Sequence, residues 1–226
     1  MLLGRLDEVD YWALGIDLEG SDDPPGETLR TVGSLLPAGD AGLAVAAVSL
    51  LGWHRSAMFC PRCGLPNLPD LPGHSRTCPQ GHQEFPRTDP AVIVLVHDGQ
   101  GNAALGRQPV WPKGRMSVFA GFVEGGESLE ATVVREISEE IGVLVSDVTY
   151  LGSQPWPFPR SLMIGFAALT EPGVPLRPRD GEIEDAQWFS RDQLREILAG
   201  ENPYGVLLPD SVSIARRMIE GYVAAG

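Results

Sequence analysis

Apolar and polar positions alternate in blocks along the second half of the chain, and these blocks predict strands and helices in turn. The apolar run AVIVLV, residues 91–96, predicts a buried strand, and the turn-forming stretch HDGQGN separates it from a second strand at AALGR. Later blocks predict strands at VFAGFV, at MIGFAALT and at residues 187–189, then a helix, and finally an amphipathic helix around SIARRMIEGYV. From Arg87 onward the pattern is typical of an α/β domain.

One stretch of this domain departs from the pattern. SQPWPFPRSLM, residues 153–163, contains three prolines. Proline fixes the backbone and removes a hydrogen-bond donor, so we expect neither a helix nor a central strand here.

The first 86 residues divide into two further segments. Strand-like residues 11–16 lead through an acidic turn (SDDPPGE) to an apolar stretch, residues 43–53. That stretch is about half of the roughly 20 residues needed to span a bilayer, so we expect a buried helix. Residues 58–86 contain six prolines and all three cysteines, with little periodicity. We therefore predict a small N-terminal α+β domain (1–57), a ribbon-like segment (58–86) and an α/β domain (87–226).

The charge of the chain limits its partners. A net charge of −13 argues against a general nucleic-acid-binding surface, which needs the opposite sign. The first residues, MLLGRLDEVDYW, become acidic before any long apolar run, which indicates neither a secretion signal nor a lipidation site. We expect a cytoplasmic protein without a membrane partner.

A helix with many carboxylates is predicted between two glycine signals. Ser128 can cap its start after the Gly125-Gly126 loop, and Gly142 is suited to its end. Apolar residues that recur at every fourth position form the buried stripe: Leu129, Val133, Ile137 and Ile141.

Three glutamates of this helix fall beside that stripe. At about 100° per residue, Glu136, Glu139 and Glu140 lie within an arc of roughly 100°. Like charges at these spacings repel unless a cation is bound. A hard divalent cation is one explanation, and a solvated acidic face is the other.

The cysteines suggest a metal site. Cys60 and Cys63 are spaced C-x2-C, and Cys78 continues a C-x2-C-x14-C-x2-C pattern in which Gly81 stands at the fourth position. Zinc accepts three cysteines and a histidine, and His82 is the nearest replacement, with His74 the weaker candidate. Buried thiols without zinc are the alternative.

The spacing of the helix resembles a known signature. Gly121 is followed after five residues by Glu127, and after seven more by REISEEIGV, which matches the fixed positions of the Nudix box. The resemblance implies a mixed sheet sandwiched between helices, and a hydrolase of nucleoside diphosphates linked to a further group.

A second motif implies the substrate. SQPWPFPRSLM, together with EFPRTDPAVI and SIARRMIE, resembles the NADH pyrophosphatase branch of Nudix hydrolases, which also decaps NAD-capped RNA. The resemblance implies a zinc ribbon before the catalytic domain, a catalytic Mg²⁺ or Mn²⁺, a homodimer, and cleavage of NAD(H) to nicotinamide mononucleotide and AMP. The metals would neutralise the pyrophosphate and acidify a bound water.

The resemblance also implies roles for individual residues. It makes Glu136, Glu140, Glu182 and the Ala120 carbonyl metal ligands, and Glu139 and Glu140 the catalytic pair, with Glu139 as base or as support for the metal. Arg135 orients these carboxylates. Substrate contacts fall to Arg30, Phe85, Phe122, Gln154, Pro155, Trp156, Pro157, Phe158, Pro159, Arg160, Ser161 and Ala215.

Packing is the alternative role for the aromatic residues among them, and a surface position for Arg30. Two other functions stay open. One is a Nudix hydrolase of ADP-ribose or dinucleoside polyphosphates, and the other is a non-catalytic nucleotide-sensing Nudix module. Loss of a box glutamate would favour the second, and all of them are present.

Overall fold

The computed structural model describes residues 1–16, 26–179 and 181–226, so the SDDPP part of the predicted acidic turn lies outside the described residues. The chain divides into two compact units. The first comprises Met1–Thr88 and Pro155–Ser161, and the second comprises Asp89–Gln154 and Leu162–Gly226. In the described part of the chain, no helix is long and apolar enough to cross a membrane.

The first unit combines two small antiparallel sheets with helices. Its elements are β1 (Leu2–Leu6), β2 (Val9–Trp12), α1 (Leu29–Val32), a 3-10 turn (Gly33–Leu35), α2 (Ala38–Ser56), β3 (Leu68–Pro69), β4 (Arg76–Thr77) and β5 (Gln83–Glu84). Strand β1 pairs with β2, and β3, β4 and β5 form a second sheet in that order. The bounds of the strand predicted at residues 11–16 are wrong, because β2 starts at Val9 and ends at Trp12. Trp12 pairs with Leu2, the first residue of β1, so no residue of β1 remains to pair with residues 13–16.

The helix predicted from residues 43–53 is present as α2, but the prediction that it is buried is wrong. Only Leu50 is fully buried, and the other residues of the stretch are mostly half-buried. The helix is apolar around its circumference, and a unit of this size has too little mass to cover a helix on all sides.

A buried arginine ties α2 to the small sheet that follows it. Arg76 is 5% exposed, and its Nη1 donates to His54 Nδ1 at 2.8 Å. Its Nε donates to the Asn67 carbonyl at 2.9 Å, and His54 Nε2 lies 2.8 Å from the Gly73 carbonyl. The His54 ring therefore accepts on one side and donates on the other, which is the pattern of the neutral imidazole.

The second unit contains a six-stranded sheet with helices on both faces. Its elements are β6 (Asp89–His97), β7 (Asn102–Arg107), β8 (Phe119–Phe122), α3 (Leu129–Ile141), β9 (Ser146–Trp156), β10 (Ser161–Leu169), β11 (Asp185–Ser190), α4 (Arg191–Ala199) and α5 (Ile214–Ala224). The last two residues of β9 and the first residue of β10 belong to the first unit. The sheet order is β11-β7-β6-β10-β9, and β8 pairs with β6.

Strand β6 lies at the centre of this sheet and separates two hydrophobic clusters. Val92, Val94 and Val96 share one cluster with the buried stripe of α3. Ile93 and Leu95 share the other with residues of α4 and α5. The sheet is thus sandwiched between helices, as the Nudix resemblance predicts.

The proline-rich motif occupies the end of β9, a turn and the start of β10. Pro155 lies on β9, the edge strand, where a missing N–H is tolerated. The prediction that residues 153–163 form no central strand is wrong for residues 161–163. These residues begin β10, which lies between β6 and β9 in the sheet. The three prolines precede them, so the inner strand keeps its hydrogen-bond donors.

Candidate active site

Helix α3 begins and ends where its sequence predicts. The Ser128 hydroxyl accepts a hydrogen bond from the Ala131 N–H, and Gly142 ends the helix in the left-handed conformation with φ of 69°. The predicted stripe packs on the sheet, with Leu129 half-buried and three residues fully buried: Val133, Ile137 and Ile141. This packing determines the direction in which the neighbouring glutamates point.

The three glutamates beside the stripe differ in exposure. Glu140 is 1% exposed, the Glu136 side chain is 12% exposed, and the Glu139 side chain is 52% exposed. Burying carboxylates is costly unless positive charge or hydrogen bonds compensate. Glu136 and Glu140 are therefore suited to holding a cation at the protein surface, whereas Glu139 reaches solvent.

Gly121 leaves room for the Glu136 carboxylate. A Cβ placed on Gly121 would overlap all three atoms of that carboxylate group. Gly121 pairs with Val92 in the sheet, and the preceding Ala120 pairs with Ile93. The Glu136 carboxylate thus lies against the β8 backbone one residue from Ala120, whose carbonyl is a predicted metal ligand.

Arg135 holds the acidic groups in place. Its guanidinium forms ion pairs with Glu127 at 2.6 Å and with Glu136 and Glu139 at 2.9 Å each. It also donates to the Phe122 carbonyl at 2.9 Å. The Arg135 guanidinium therefore connects the loop before α3, two glutamates of the helix and the end of β8. These contacts agree with the orienting role predicted for Arg135.

These contacts shift the ionisation of their partners. The hydrogen bond from Arg135 is the main cause that lowers the pKa of Glu127 from 4.5 to about 2. The pKa of Glu136 is raised, first by burial and further by the charges of Glu139 and Glu182, while Arg135 opposes the shift. The negative charge of Glu182 thus contributes to the raised pKa of Glu136. This interaction agrees with the prediction that Glu182 belongs to the same acidic cluster.

Two residues that follow Glu182 anchor the loop that carries it. Ile183 is 6% exposed and packs into the cluster on the α3 side of the sheet. The Glu184 N–H donates to the Arg107 carbonyl at 2.9 Å, and the Glu184 carboxylate pairs with the Arg107 guanidinium. The loop therefore projects Glu182 from a fixed base.

Gln154 positions the start of α5. Its side chain donates to the Val212 carbonyl at 2.8 Å and accepts from the Ile214 N–H at 2.7 Å. The following residue, Ala215, is 3% exposed, and its N–H donates to the Ser213 hydroxyl. The structure thus gives the Gln154 amide a positioning role next to Ala215, and the substrate contacts of both remain predictions.

Arg30 and the proline-rich turn come together in the first unit. The Arg30 guanidinium lies 5.6 Å from the Trp156 ring centroid and 5.4 Å from that of Phe158. The two rings meet edge to face, with centroids 5.1 Å apart. Cation–π contacts of this kind hold an arginine above aromatic faces. The rest of the predicted substrate segment forms the ends of β9 and β10 and the turn between them: Pro155, Pro157, Pro159, Arg160 and Ser161.

The two phenylalanines predicted to hold the nicotinamide are both exposed. Phe122 ends β8 in the second unit and is 56% exposed. Phe85 follows β5 in the first unit and is 64% exposed. Neither side chain is used in a hydrophobic core, so the packing alternative loses its support.

The predicted zinc ligands converge in the first unit. The ligand atoms of Cys60, Cys63, Cys78 and His82 all lie within 4.8 Å of one another. Cys60 Sγ is 3.6 Å from His82 Nδ1, and Cys63 Sγ is 3.7 Å from Cys78 Sγ. This arrangement fits a tetrahedral metal site with three thiolates and one imidazole.

A tight turn explains how His82 replaces a cysteine. Gly81 adopts a left-handed conformation with φ of 79°, its N–H donates to the Cys78 carbonyl, and the Cys78 N–H donates to the His82 carbonyl. The weaker candidate, His74, lies elsewhere, with Nε2 2.8 Å from the Leu2 carbonyl. Burial acts to raise the pKa of Cys60, but backbone hydrogen bonds from Arg62 and Cys63 lower it on balance, which favours the thiolate.

The helix, the acidic cluster and the sandwiched sheet define a class of protein. The NUDIX domain family matches residues 87–210 of this chain. The chain therefore belongs to the Nudix family, which confirms the prediction made from the box.

Relatives of known name match almost the full chain. The NAD-capped RNA hydrolase NudC of Mycobacterium bovis (strain BCG / Pasteur 1173P2) is 48% identical over 99% of this chain and 75% of its own length. The protein of the same name from Deinococcus radiodurans is 39% identical over 98% of this chain and 76% of its own length. These matches confirm the resemblance to the branch that acts on NAD-capped RNA.

Solved structures show the same fold. A NUDIX hydrolase from Nitrosomonas europaea superposes with a TM-score of 0.56 at 17% identity, covering 74% of this chain and 90% of the other. At that identity, the likeness concerns the fold alone.

Proposed function

We propose that this protein hydrolyses the pyrophosphate bond of NAD(H) to nicotinamide mononucleotide and AMP, and removes NAD caps from RNA 5′ ends. The main observation in support is the position of the Glu136 carboxylate, which lies against Gly121 and next to Ala120. The negative charge of Glu182 also acts on the pKa of this carboxylate. The names of relatives at 48% and 39% identity support the choice of substrate.

The acidic cluster fits Mg²⁺ or Mn²⁺. Carboxylate and carbonyl oxygens are the ligands that these hard cations prefer, and the site supplies them from Glu136, Glu140, Glu182 and Ala120. Glu140 is 1% exposed, and burial raises the pKa of Glu136, as expected for groups that a cation stabilises in the charged form. When bound, the cations neutralise the diphosphate and lower the pKa of water.

The protein groups then have separate tasks. Arg135 fixes Glu136 and Glu139 through its ion pairs, so both carboxylates keep their positions as the substrate enters. Glu139 is the most exposed of the three glutamates beside the stripe, and it accepts a proton from the water that attacks one phosphorus in line. Glu140 completes the catalytic pair and would be a ligand of the cation.

Recognition of the dinucleotide involves the turn and the aromatic residues. Phe122 and Phe85 stack on the nicotinamide, with Phe85 supplied by the second subunit of a homodimer. Arg30, the segment 154–161 and the Ala215 backbone contact the rest of the dinucleotide. The contact of Arg30 with Trp156 and Phe158 supports a common task for these three residues.

The remaining parts of the chain have structural roles in this proposal. Residues 58–86 bind one Zn²⁺ through Cys60, Cys63, Cys78 and His82, which compensates for a segment too small to form its own core. Residues 1–57 form the small N-terminal domain, and residues 87–226 form the catalytic domain. The protein acts in the cytoplasm.

Parallel turnover assays test the function. NADH, NAD⁺, ADP-ribose and NAD-capped RNA are compared at equal concentration with Mg²⁺ and with Mn²⁺. The proposal predicts that kcat/KM for NAD(H) or NAD-capped RNA exceeds that for ADP-ribose. A preference for ADP-ribose supports the other kind of Nudix hydrolase, and no turnover with tight nucleotide binding supports a sensing module.

A further inference from the structure

A fully buried hydroxyl lies on the helix that carries the acidic cluster. Thr132, near the start of α3, is 0% exposed. Its Oγ1 lies 2.8 Å from Glu127 Oε2 and 3.0 Å from the Ser128 carbonyl oxygen. A threonine hydroxyl has one hydrogen to donate. Glu127 offers the closer and the charged acceptor, so the bond to Glu127 is the stronger of the two.

The hydroxyl completes a full set of donors around the Glu127 carboxylate. Oε2 also accepts from the Glu124 N–H at 3.1 Å and from Arg135 Nη2 at 2.9 Å, and Oε1 accepts from Arg135 Nε at 2.6 Å. A carboxylate has about four acceptor positions, so these bonds and the one from Thr132 occupy all of them. Removal of the Thr132 hydroxyl therefore leaves one position of Oε2 without its donor.

The orientation of this carboxylate determines the orientation of Arg135. The two nitrogens that bind Glu127, Nε and Nη2, belong to a planar fork, which fits a carboxylate only when the two planes are aligned. The third nitrogen, Nη1, lies in the same plane and pairs with Glu136 and Glu139 at 2.9 Å each. A rotation of the Glu127 carboxylate thus moves Nη1 relative to both glutamates.

Glu139 depends on Arg135 more than Glu136 does. The Glu136 side chain is 12% exposed and its carboxylate lies against Gly121, so packing also holds it. The Glu139 side chain is 52% exposed, so its ion pair with Arg135 restrains it more than packing does. In the proposed function Glu139 accepts the proton of the attacking water, and its position therefore affects the rate of that step.

We propose that Thr132 is a positioning residue for the hydrolysis. Its hydroxyl orients the Glu127 carboxylate, which aligns Arg135, and Arg135 in turn holds Glu139. Thr132 is inaccessible to solvent, so it acts through these residues and touches neither the substrate nor the cation. The inference rests on the proposed function and adds to it a residue outside the acidic cluster.

Two substitutions of Thr132 test the role of its hydroxyl. Thr132→Val keeps the shape of the side chain and removes the hydroxyl. With saturating NADH and cation, we expect kcat to fall about tenfold, and KM for NADH to change less than about twofold, because the lost bond serves the chemical step. Thr132→Ser keeps the hydroxyl, so its kcat should be close to that of wild type. An unchanged kcat in Thr132→Val, or equal losses in the two variants, overturns the proposal.

A second buried threonine provides the control for stability. Thr170 is 6% exposed, and its Oγ1 donates to the Leu144 carbonyl at 2.9 Å. Thr170→Val therefore removes a buried hydroxyl of the same kind from a position beyond the end of α3. We expect it to lower the melting temperature and to leave kcat within about twofold of wild type. A loss of kcat equal to that of Thr132→Val would mean that both act on stability, which overturns the proposal.

A double-mutant cycle tests whether the effect passes through Glu127. If Thr132 acts by orienting the Glu127 carboxylate, its hydroxyl has little to orient once that carboxylate is gone. In the Glu127→Gln protein, Thr132→Val should therefore lower kcat less than about twofold. A full tenfold loss in this background as well would show that Thr132 acts by another route and contradicts the assignment.

A spectroscopic readout tests the same arrangement without turnover. Arg135 Nε donates to Glu127 at 2.6 Å, so its hydrogen should exchange slowly with solvent in the nuclear magnetic resonance spectrum of ¹⁵N-labelled protein. We expect exchange about two- to tenfold faster in Thr132→Val and unchanged in Thr132→Ser. Unchanged exchange in Thr132→Val overturns the inference. If wild type does not hydrolyse NAD(H), the proposed function fails, and this exchange still decides whether Thr132 orients Arg135.

Discussion

The carboxylate of Glu136 occupies the space that a side chain on Gly121 would fill. Gly121 is not in a left-handed conformation, so the backbone alone does not require glycine at this position. The close approach of the carboxylate requires it. The first glycine of the Nudix box thus makes room for a metal ligand.

Gly121→Ala tests this relationship. The methyl group displaces the Glu136 carboxylate from its place beside Ala120, so we expect metal affinity and kcat/KM to fall about 10- to 100-fold. Gly125→Ala is the matched control, because a Cβ at Gly125 meets nothing within 4 Å. Equal effects of the two substitutions on a metal titration of activity would contradict the explanation.

The contact of Glu127 with Arg135 predicts a pH dependence of stability. The pKa of Glu127 is lowered from 4.5 to about 2, so the folded state favours its charged form. This stabilisation is complete above the ordinary pKa and is lost as the pH falls through about 2. Urea unfolding at several pH values should therefore show a gap between wild type and Glu127→Gln that is constant above about pH 5 and narrows towards pH 2. A gap that is independent of pH would exclude this ion pair as its source.

The ribbon cluster predicts one zinc ion per chain. Metal analysis of protein purified without chelator should give a stoichiometry near one, and His82→Ala should lower it and reduce the melting temperature. His74→Ala is the control, since His74 lies outside the cluster and contacts the Leu2 carbonyl. A zinc content near zero in the wild type rejects the site.

The proposed stacking of Phe122 and Phe85 on the nicotinamide predicts that substitutions of these residues affect NADH hydrolysis more than ADP-ribose hydrolysis. Stacking contributes about 0.5–1.5 kcal/mol per ring, so Phe122→Ala and Phe85→Ala should each reduce kcat/KM for NADH about two- to tenfold. ADP-ribose has no nicotinamide ring, and its hydrolysis should be almost unchanged. Equal losses on the two substrates would mean that the phenylalanines act on the fold.

Local signals in the sequence were sufficient for most of the catalytic unit. The cap at Ser128, the stripe of α3 and the left-handed Gly142 depend on neighbouring residues, and the structure confirms all three. The C-x2-C spacing likewise led to a cluster that includes His82.

Features that depend on tertiary contacts could not be predicted in this way. Helical periodicity placed Glu136, Glu139 and Glu140 in one arc, but only the packing of the helix on β8 shows that Glu140 is buried and Glu139 exposed. The partial exposure of α2 also depends on tertiary packing. Its apolar sequence predicts a buried helix and does not show that the first unit covers it only in part. The bond between Arg76 and His54 joins distant positions that share no motif.

The most direct measurement of the central claim is NADH hydrolysis by Glu140→Gln, followed by product analysis with increasing Mg²⁺ or Mn²⁺. Glu140 is 1% exposed, and glutamine preserves its volume while removing the charge that holds the cation. Glu130→Gln, in the first turn of the same helix, is the control. The account predicts that wild type and control release nicotinamide mononucleotide and AMP only with the divalent cation, and that Glu140→Gln folds normally but loses at least about 100-fold in kcat. Near-normal turnover in folded Glu140→Gln, or hydrolysis by the wild type that needs no divalent cation, would contradict it.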